Sequence, residues 1–371
     1  MPRRLVANLD CEVEWTGGPA LPAPVRAMIA GLGTLLRGLA LDDGDVVEVI
    51  APVAAARLPE VAAPRVTLAV RGAPAATSGE PDTACAAWGA TAARRAPAGS
   101  TAAPATAVAT TPATAAAWHP GPPGDAVAIA RAGNDRRLAA AAVAATLGAA
   151  LDGATAVTDL AAVDDAIAAA AAASATGAWV AKAAICAAGR DQVRRRGAAI
   201  DPPTRARLAR LLARAGALVV EPWLDRVGDL GQVGVVGAAG AVALLPAHRL
   251  HSDDGGGFAG VAISTDDPLV AAHADAVAEA ARAAGAALAA LGHRGPFGVD
   301  ALVHRVGGAP RLRPLVEINA RMTFGLVGHA WAERLGPGTL AIGRGAPPVD
   351  AVALLLPGDG APTAAWFTRA A

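Results

Sequence analysis

Two segments, FGVDALVHR (297–305) and RLRPLVEINAR (311–321), place acids where folding alone could bring them together. Both alternate well enough to be strands, and VGGAP (306–310) between them is turn material. A turn centred between Gly308 and Ala309 sets Asp300 directly opposite Glu317. Asn319, two residues on, then projects from the same face of the sheet. Directly opposed like charges destabilise a sheet. At about 5 Å and an effective dielectric near 20, the repulsion is roughly 3 kcal/mol. A divalent cation between the carboxylates reverses that sign. Two carboxylates and an amide oxygen are hard donors, suited to magnesium that also holds phosphates. The plain alternative is a solvent-facing pair on an exposed strand. Against it, Phe297, Val299, Leu315, Val316 and Ile318 describe a half-buried sheet. A one-residue bulge would spoil the facing geometry.

The second residue of interest is Lys182, the one lysine in 371 residues. Arginine serves every other basic position. A site that keeps lysine under that bias needs a compact ammonium on a flexible stem. A phosphate oxygen deep in a nucleotide pocket is the commonest such demand. The segment GAWVAKAAICAAGRDQVRRRG (177–197) reads as a strand carrying Lys182, then a small-residue loop with Gly189. A stray surface lysine is the bland alternative, but Lys182 follows the apolar run 178–181.

The elements that must position these groups follow from periodicity and punctuation. Strands are expected at 4–10, 45–51 and 65–71, with helices near 24–39 and 82–95, which suggests an α/β unit with a mainly parallel sheet. Residues 96–124 are rich in Ala, Thr, Pro and Gly and read as a linker or lid-like loop, with a domain boundary near 120. Beyond it come a strand at 125–131 and a helix capped by Asn134 or Asp135 and running to about Leu147. A helix at 160–175, the Lys182 strand, a helix at 203–215 and a strand at 217–221 follow. Residues 231–263 read as a β-meander, with AVALLPAHRL as one strand. A long helix at 268–291 and the hairpin at 296–319 complete the pattern.

Composition bounds the partners. Lys+Arg and Asp+Glu are both 32, so no net basic charge argues for nucleic acid or an anionic membrane surface. The alanine-rich stretches are too often broken by charge, Gly or Pro to span a membrane. Three separated cysteines suit a reducing compartment, and no Cys/His spacing suggests zinc. The N-terminus fails as a signal peptide, so cytoplasm is the expected location. Aromatics make up only 3% of the chain, and tyrosine is absent. Rare residue types therefore carry information. Asn occurs three times, at Asn8, Asn134 and Asn319.

Four ordered segments, GNDRR (133–137), WVAKAA with AAGR (179–190), VVEPWLD (219–225) and GVD…EINAR (298–321), together resemble the ATP-grasp enzymes over roughly residues 125–335. The resemblance implies an N-terminal α/β pre-ATP-grasp domain (1–120). A two-lobed ATP-grasp domain with antiparallel sheets (121–345) follows, with a small lobe at about 134–221 and a large lobe at about 222–345. A C-terminal tail (346–371) ends the chain. ATP and one or two Mg2+ ions, with Mn2+ as a substitute, are the implied cofactors. Asp300, Glu317 and Asn319 then correspond to the metal ligands. Lys182 lies on the phosphates, and Gly189 and Arg190 sit where a loop folds over them. Glu221, Trp223 and Leu224 match the adenine hinge, and Asp229 the residue that holds the ribose hydroxyls. Arg321 resembles the arginine on the transferred phosphoryl group. One departure is Arg136, which stands where the family usually has a second lysine.

The implied activity is a ligase that joins a small-molecule carboxylate to an amine through an acyl-phosphate. A phosphotransferase on the same scaffold, or a non-catalytic nucleotide-binding protein, remains open. Dimers are common in the resembled family, so a homodimer is open too. No Ser-His-Asp or Cys-His grouping is evident, which suits chemistry without a protein nucleophile. Other polar groups have ordinary readings beside functional ones. They are His248 and His251 at a strand end, His329 with Trp331, Trp88 with Gly89, Glu12 with Glu14, and the basic run Arg194–Arg196, read as a solvated face.

Overall fold

The computed structural model describes residues 4–7, 9, 11, 20–61, 63–71, 85–87, 126–139, 147–148, 150–185, 191–252, 257–264, 266–358 and 361–370. Gly189, Arg190, Glu12, Glu14, Trp88, Gly89, the segment 96–124 and most of the helix expected to reach Leu147 lie outside them.

The architecture is mixed α/β with three sheets. The first is four-stranded and parallel, in the order β3-β2-β1-β4. Its strands are β1 (Arg4–Val6), β2 (Val46–Val49), β3 (Thr67–Val70) and β4 (Cys85–Ala87). Short apolar runs such as RLV and VVEV suit a parallel sheet with covered faces. Helix α1 (Ala23–Gly33) packs on this sheet and continues as a 3-10 turn, Thr34–Leu39. A helix was expected over 82–95; its described part, 85–87, is instead a strand parallel to β1. Alanine-rich sequence carries too little periodic signal to separate the two.

Helix α2 (Ala126–Gly133) occupies the segment expected as a strand. Val127 and Ile129 alternate, but the small residues between them tolerate either period. Gly133 ends the helix in tight contact: a Cβ there would lie 2.6 Å from the Ala320 Cβ. Asp135 caps the following turn by accepting from the Arg137 N–H at 2.9 Å.

The second sheet is antiparallel, in the order β5-β8-β6-β7. It comprises β5 (Thr155–Val157), β6 (Ala178–Ala183), β7 (Gln192–Arg196) and β8 (Leu218–Pro222). Helices α3 (Val163–Ala173) and α4 (Pro202–Ala215) cover it. Asp201 caps α4 through the Thr204 N–H, and Gly216, at φ 75°, ends it in the left-handed region that suits glycine. Trp179, Ile167, Leu208 and Leu218 fill a core of this unit's own. Strands β5 and β7 were not anticipated, and the QVRRR of β7 is too polar to read as one. Its Arg194–Arg196 are exposed, as expected for a solvated face.

The third sheet has nine strands and antiparallel pairing throughout, in the order β14-β13-β9-β11-β12-β15-β17-β16, with β10 beside β9. Its strands are β9 (Arg226–Val236), β10 (Val242–Leu244), β11 (His248–Ser252), β12 (Phe258–Ile263), β13 (Gly295–Val306), β14 (Ala309–Asn319), β15 (Gly338–Arg344), β16 (Val352–Leu355) and β17 (Thr363–Arg369). The segment AVALLPAHRL forms two strands rather than one, parted around Pro246, which has no N–H to give a ladder. Residues 346–371, expected as a tail, supply β16 and β17. Helix α5 (Pro268–Ala290), capped by Asp267, buries Val277, Ala281 and Leu288 against Phe297 and Leu230. Helix α6 (Phe324–Leu335) joins this sheet to the first unit. Its Trp331 donates to the Leu35 carbonyl at 3.1 Å, within one core holding Leu5, Ile29, Leu354 and Phe367. Among the described residues, no helix is long and apolar enough to cross a membrane.

Candidate active site

The β13–β14 hairpin turns on Gly307 and Gly308, at φ 58° and 84°. Two positive φ angles in a two-residue loop are what a tight hairpin needs, and two glycines supply them without strain. This turn lies one residue earlier than the sequence suggests. Near it, Leu302 faces Arg313 and Val306 faces Ala309. The register then shifts between Asp300 and Leu302, where Pro314 cannot donate to the ladder. Beyond the shift Asp300 faces Glu317, and Gly298 faces Asn319. The early turn and the irregularity cancel, so the expected facing of the acids occurs by a different route.

Both acids open into a cavity of about 470 Å3. Arg136, Lys182, Glu221, Trp223, Leu224, Asp229, Asn319 and Arg321 also line it. Ten of the twelve residues singled out by sequence therefore meet in one place; Gly189 and Arg190 are outside the described residues.

The cavity is electrostatically tense. Burial first, and then the facing Glu317 and nearby Asp229, push the Asp300 carboxyl up to about 7, while Arg321 and Arg136 pull it the other way. The Asn319 amide lies 3.5 Å from Asp300. Arg136 meets both oxygens of Glu317 at 2.9 Å through Nη2, and its Nη1 donates to the Ala183 carbonyl at 3.1 Å. It thus ties Glu317 to the end of the strand that carries Lys182. Replacing Asp300 with Asn should remove the repulsion and stabilise the metal-free protein by about 1–3 kcal/mol, measured by urea unfolding without divalent cations.

Opposite this pair, Glu221 sits buried between two cations. Lys182 Nζ meets its Oε1, and Arg313 Nη2 meets its Oε2 at 2.8 Å. Burial alone would raise this carboxyl, but Lys182 and Arg313 outweigh it and hold it down at about 2. Sequence reasoning missed Arg313. Its partner lies 92 residues away, and only the fold brings the two together.

Two residues of the expected adenine hinge, Trp223 and Glu221, have partners within the protein. The Trp223 N–H is already given to the Ala178 carbonyl at 2.8 Å, and its carbonyl accepts from Ser174 Oγ at 3.2 Å. Its ring lies under the Arg194 guanidinium at 4.4 Å. Both Glu221 oxygens are engaged by cations, so that carboxylate is a clamp on Lys182 and Arg313 first. Asp229 is buried, accepting from Ser252 Oγ at 2.9 Å and meeting Arg226 Nε at 3.1 Å. Arg321 Nη1 donates to the Met322 carbonyl at 3.2 Å.

The rare Asn134 positions the site without lining it. Its amide donates to the Ala130 carbonyl at 2.7 Å, and its Oδ1 accepts from the Ala320 N–H at 3.1 Å. This fixes the backbone between Asn319 and Arg321 against the end of α2. Asn134→Ala removes the acceptor of the Ala320 N–H and should cost about 1–3 kcal/mol in denaturant unfolding.

The donor set fits a magnesium ion. Asp300, Glu317 and Asn319 offer hard oxygens on one face of the hairpin. A carboxylate has about four lone-pair sites, so the contacts from Arg136 leave Glu317 able to ligate.

No family model matches the chain, and no curated protein matches it. Among solved structures, it is similar to N5-carboxyaminoimidazole synthetase from Staphylococcus aureus complexed with ADP. The identity there is 12% and the TM-score 0.44, over 66% of this chain and 69% of that one. It is similar to biotin carboxylase from Campylobacter jejuni at 11% identity and a TM-score of 0.45, over 67% and 65% of the two chains. A D-cycloserine synthetase matches at 22% identity and a TM-score of 0.37, over 56% and 72%. These likenesses extend to part of the fold alone.

Proposed function

We propose that the protein is an ATP- and magnesium-dependent ligase that activates a carboxylate as an acyl-phosphate for attack by an amine. One observation carries this reading: facing acids on β13 and β14 share a cavity with the chain's single lysine and three arginines, Arg136, Arg226 and Arg321. Phosphoryl transfer asks mainly for positioning and for cancellation of charge. A protein nucleophile is not required.

In the proposed reaction, a carboxylate oxygen of the substrate attacks the terminal phosphorus of ATP. The bridging P–O bond breaks, and ADP leaves with the electron pair. The amine nitrogen then attacks the acyl carbon, inorganic phosphate leaves, and the nitrogen loses a proton. Magnesium, held by Asp300, Glu317 and Asn319, would neutralise phosphate charge. Lys182 approaches from the small sheet, held ready by Glu221. Arg136 orients Glu317 through its two contacts, and Arg321 lies beside the acids to receive the transferred group. Leu224 follows the clamp where the base would dock, and Asp229 lies on β9 where the ribose would pass.

Hydroxylamine tests the reading. Incubation with Mg-ATP, hydroxylamine and a panel of carboxylates should yield ADP, phosphate and a hydroxamate. Phosphorylation of a hydroxyl acceptor without hydroxamate would make the protein a phosphotransferase. ATP binding without turnover on any acceptor would leave a nucleotide-binding protein.

A further inference from the structure

His248 also lines the cavity. Across the large sheet, Asp300 on β13 pairs with Gly231 on β9, and Gly231 pairs with His248 on β11. The three share one row, so Asp300 and His248 point to the same face, about 10 Å apart at two strand spacings. Between them Gly231 has no side chain, and the imidazole leans over it. A Cβ at Gly231 would lie 2.6 Å from His248 Nε2, and one at Gly325 would lie 2.7 Å from the same atom.

This buried ring is paired with a second imidazole. His329 Nε2 lies 3.1 Å from the Pro246 carbonyl, which can only accept, so His329 Nε2 carries the hydrogen. The same nitrogen is 3.3 Å from His248 Nδ1. The Pro246 carbonyl is also within reach of the His248 ring; when His248 Nδ1 accepts from His329 instead, the neutral ring bears its proton on Nε2. Burial first, and then His329, hold the His248 pKa down to about 3, so the ring stays neutral near pH 7. In that tautomer it is a donor rather than a base.

Apolar side chains line the cavity as well, beside Asp229 and Ser252. Helix α1 supplies Met28 and Leu32, β11 supplies Leu250, and Phe258 stacks on Phe324 with ring centres 5.2 Å apart. The chain has four phenylalanines and no tyrosine, so half of its small aromatic rings stand at this wall. Among the described residues, no lysine or arginine of the first unit lines the cavity.

We propose that the activated acid is an apolar-bodied carboxylic acid, seated with its chain against Leu250, Phe258 and Phe324 and with one carboxylate oxygen on the Nε2–H of His248. This rests on the ligase reading above and names the substrate class of that site. The acid's other oxygen then faces the row toward Asp300, where the terminal phosphate would lie. His248 and the apolar wall together decide which acids enter.

The hydroxamate assay on the full chain tests this with hexanoate and phenylacetate against succinate and glycine. Each acid would take the terminal phosphoryl group as ATP releases ADP, and hydroxylamine would then displace phosphate from the acyl carbon, so the product reports acid choice alone. The apolar acids should be preferred by at least about tenfold, the scale of a methylene or two in an apolar pocket. His248→Phe should raise KM for the acid by about tenfold and leave KM for ATP within about twofold. His248→Gln, which keeps an N–H, should recover part of the loss. If His248→Phe does not fold, Leu250→Asn reads the same wall and should erase the apolar preference. Equal or better use of the polar acids, with hydroxamate still formed, overturns this proposal and leaves the ligase reading standing. So does an unchanged acid KM in a folded His248→Phe. No hydroxamate from any acid, with ATP still bound, overturns both.

Discussion

Glu317→Gln should lower ADP formation by about a thousandfold or more, equivalent to roughly 4 kcal/mol of lost transition-state stabilisation. The amide is nearly isosteric, so the hairpin has no steric reason to change. What is lost is one full negative charge directly opposite Asp300, and with it half of the charge that would hold a divalent cation. Arg136 keeps an amide oxygen as acceptor but loses its ion pair with Glu317. A modest drop in stability, about 1–2 kcal/mol, should accompany the loss of turnover. A folded variant with unchanged turnover would remove the metal assignment altogether.

Glu221→Ala should produce the largest change in stability, a loss of about 3–5 kcal/mol in urea unfolding. The reason is what remains behind. Lys182 and Arg313 would both lose their Glu221 counter-charge, and Arg313 is buried. Glu221→Gln should fall between the wild type and the alanine variant, since it can still accept hydrogen bonds. The same clamp sets an acid limit. The folded-state value of Glu221, about 2, lies below its ordinary 4.5. Its contribution is therefore complete above about pH 4.5 and is lost as pH falls toward 2. Unfolding free energy should drop across that window in the wild type, and the drop should shrink in Glu221→Gln.

Much of this site was legible because its parts are rare in a biased composition. A single lysine and three asparagines stand out in a chain dominated by alanine. The hairpin acids were legible as a facing pair, although the turn and the register shift that produce the facing were not. Periodicity gives relative positions within a strand but is blind to an irregularity at Pro314. The strand expected at 125–131 is a helix because small residues between Val127 and Ile129 satisfy both periods. β7 escaped notice because exposed arginines carry no apolar alternation. Arg313 and His248 escaped for another reason. Their roles come from partners on other strands, Glu221 and His329, and no local pattern encodes that pairing. The strands in 346–371 were hidden by the shortness of β16 and by proline-rich connections.

In the proposed reaction the facing acids bind a cation, which in turn holds the nucleotide tail presented to Lys182. Calorimetric titration of ATP into the protein, with and without magnesium, tests it most directly when repeated on Asp300→Asn and Glu317→Gln. The expected result is ATP binding that strengthens at least about tenfold with magnesium in the wild type and loses that gain in both variants. Binding of equal strength without magnesium, or a magnesium effect that survives in both variants, would contradict the account.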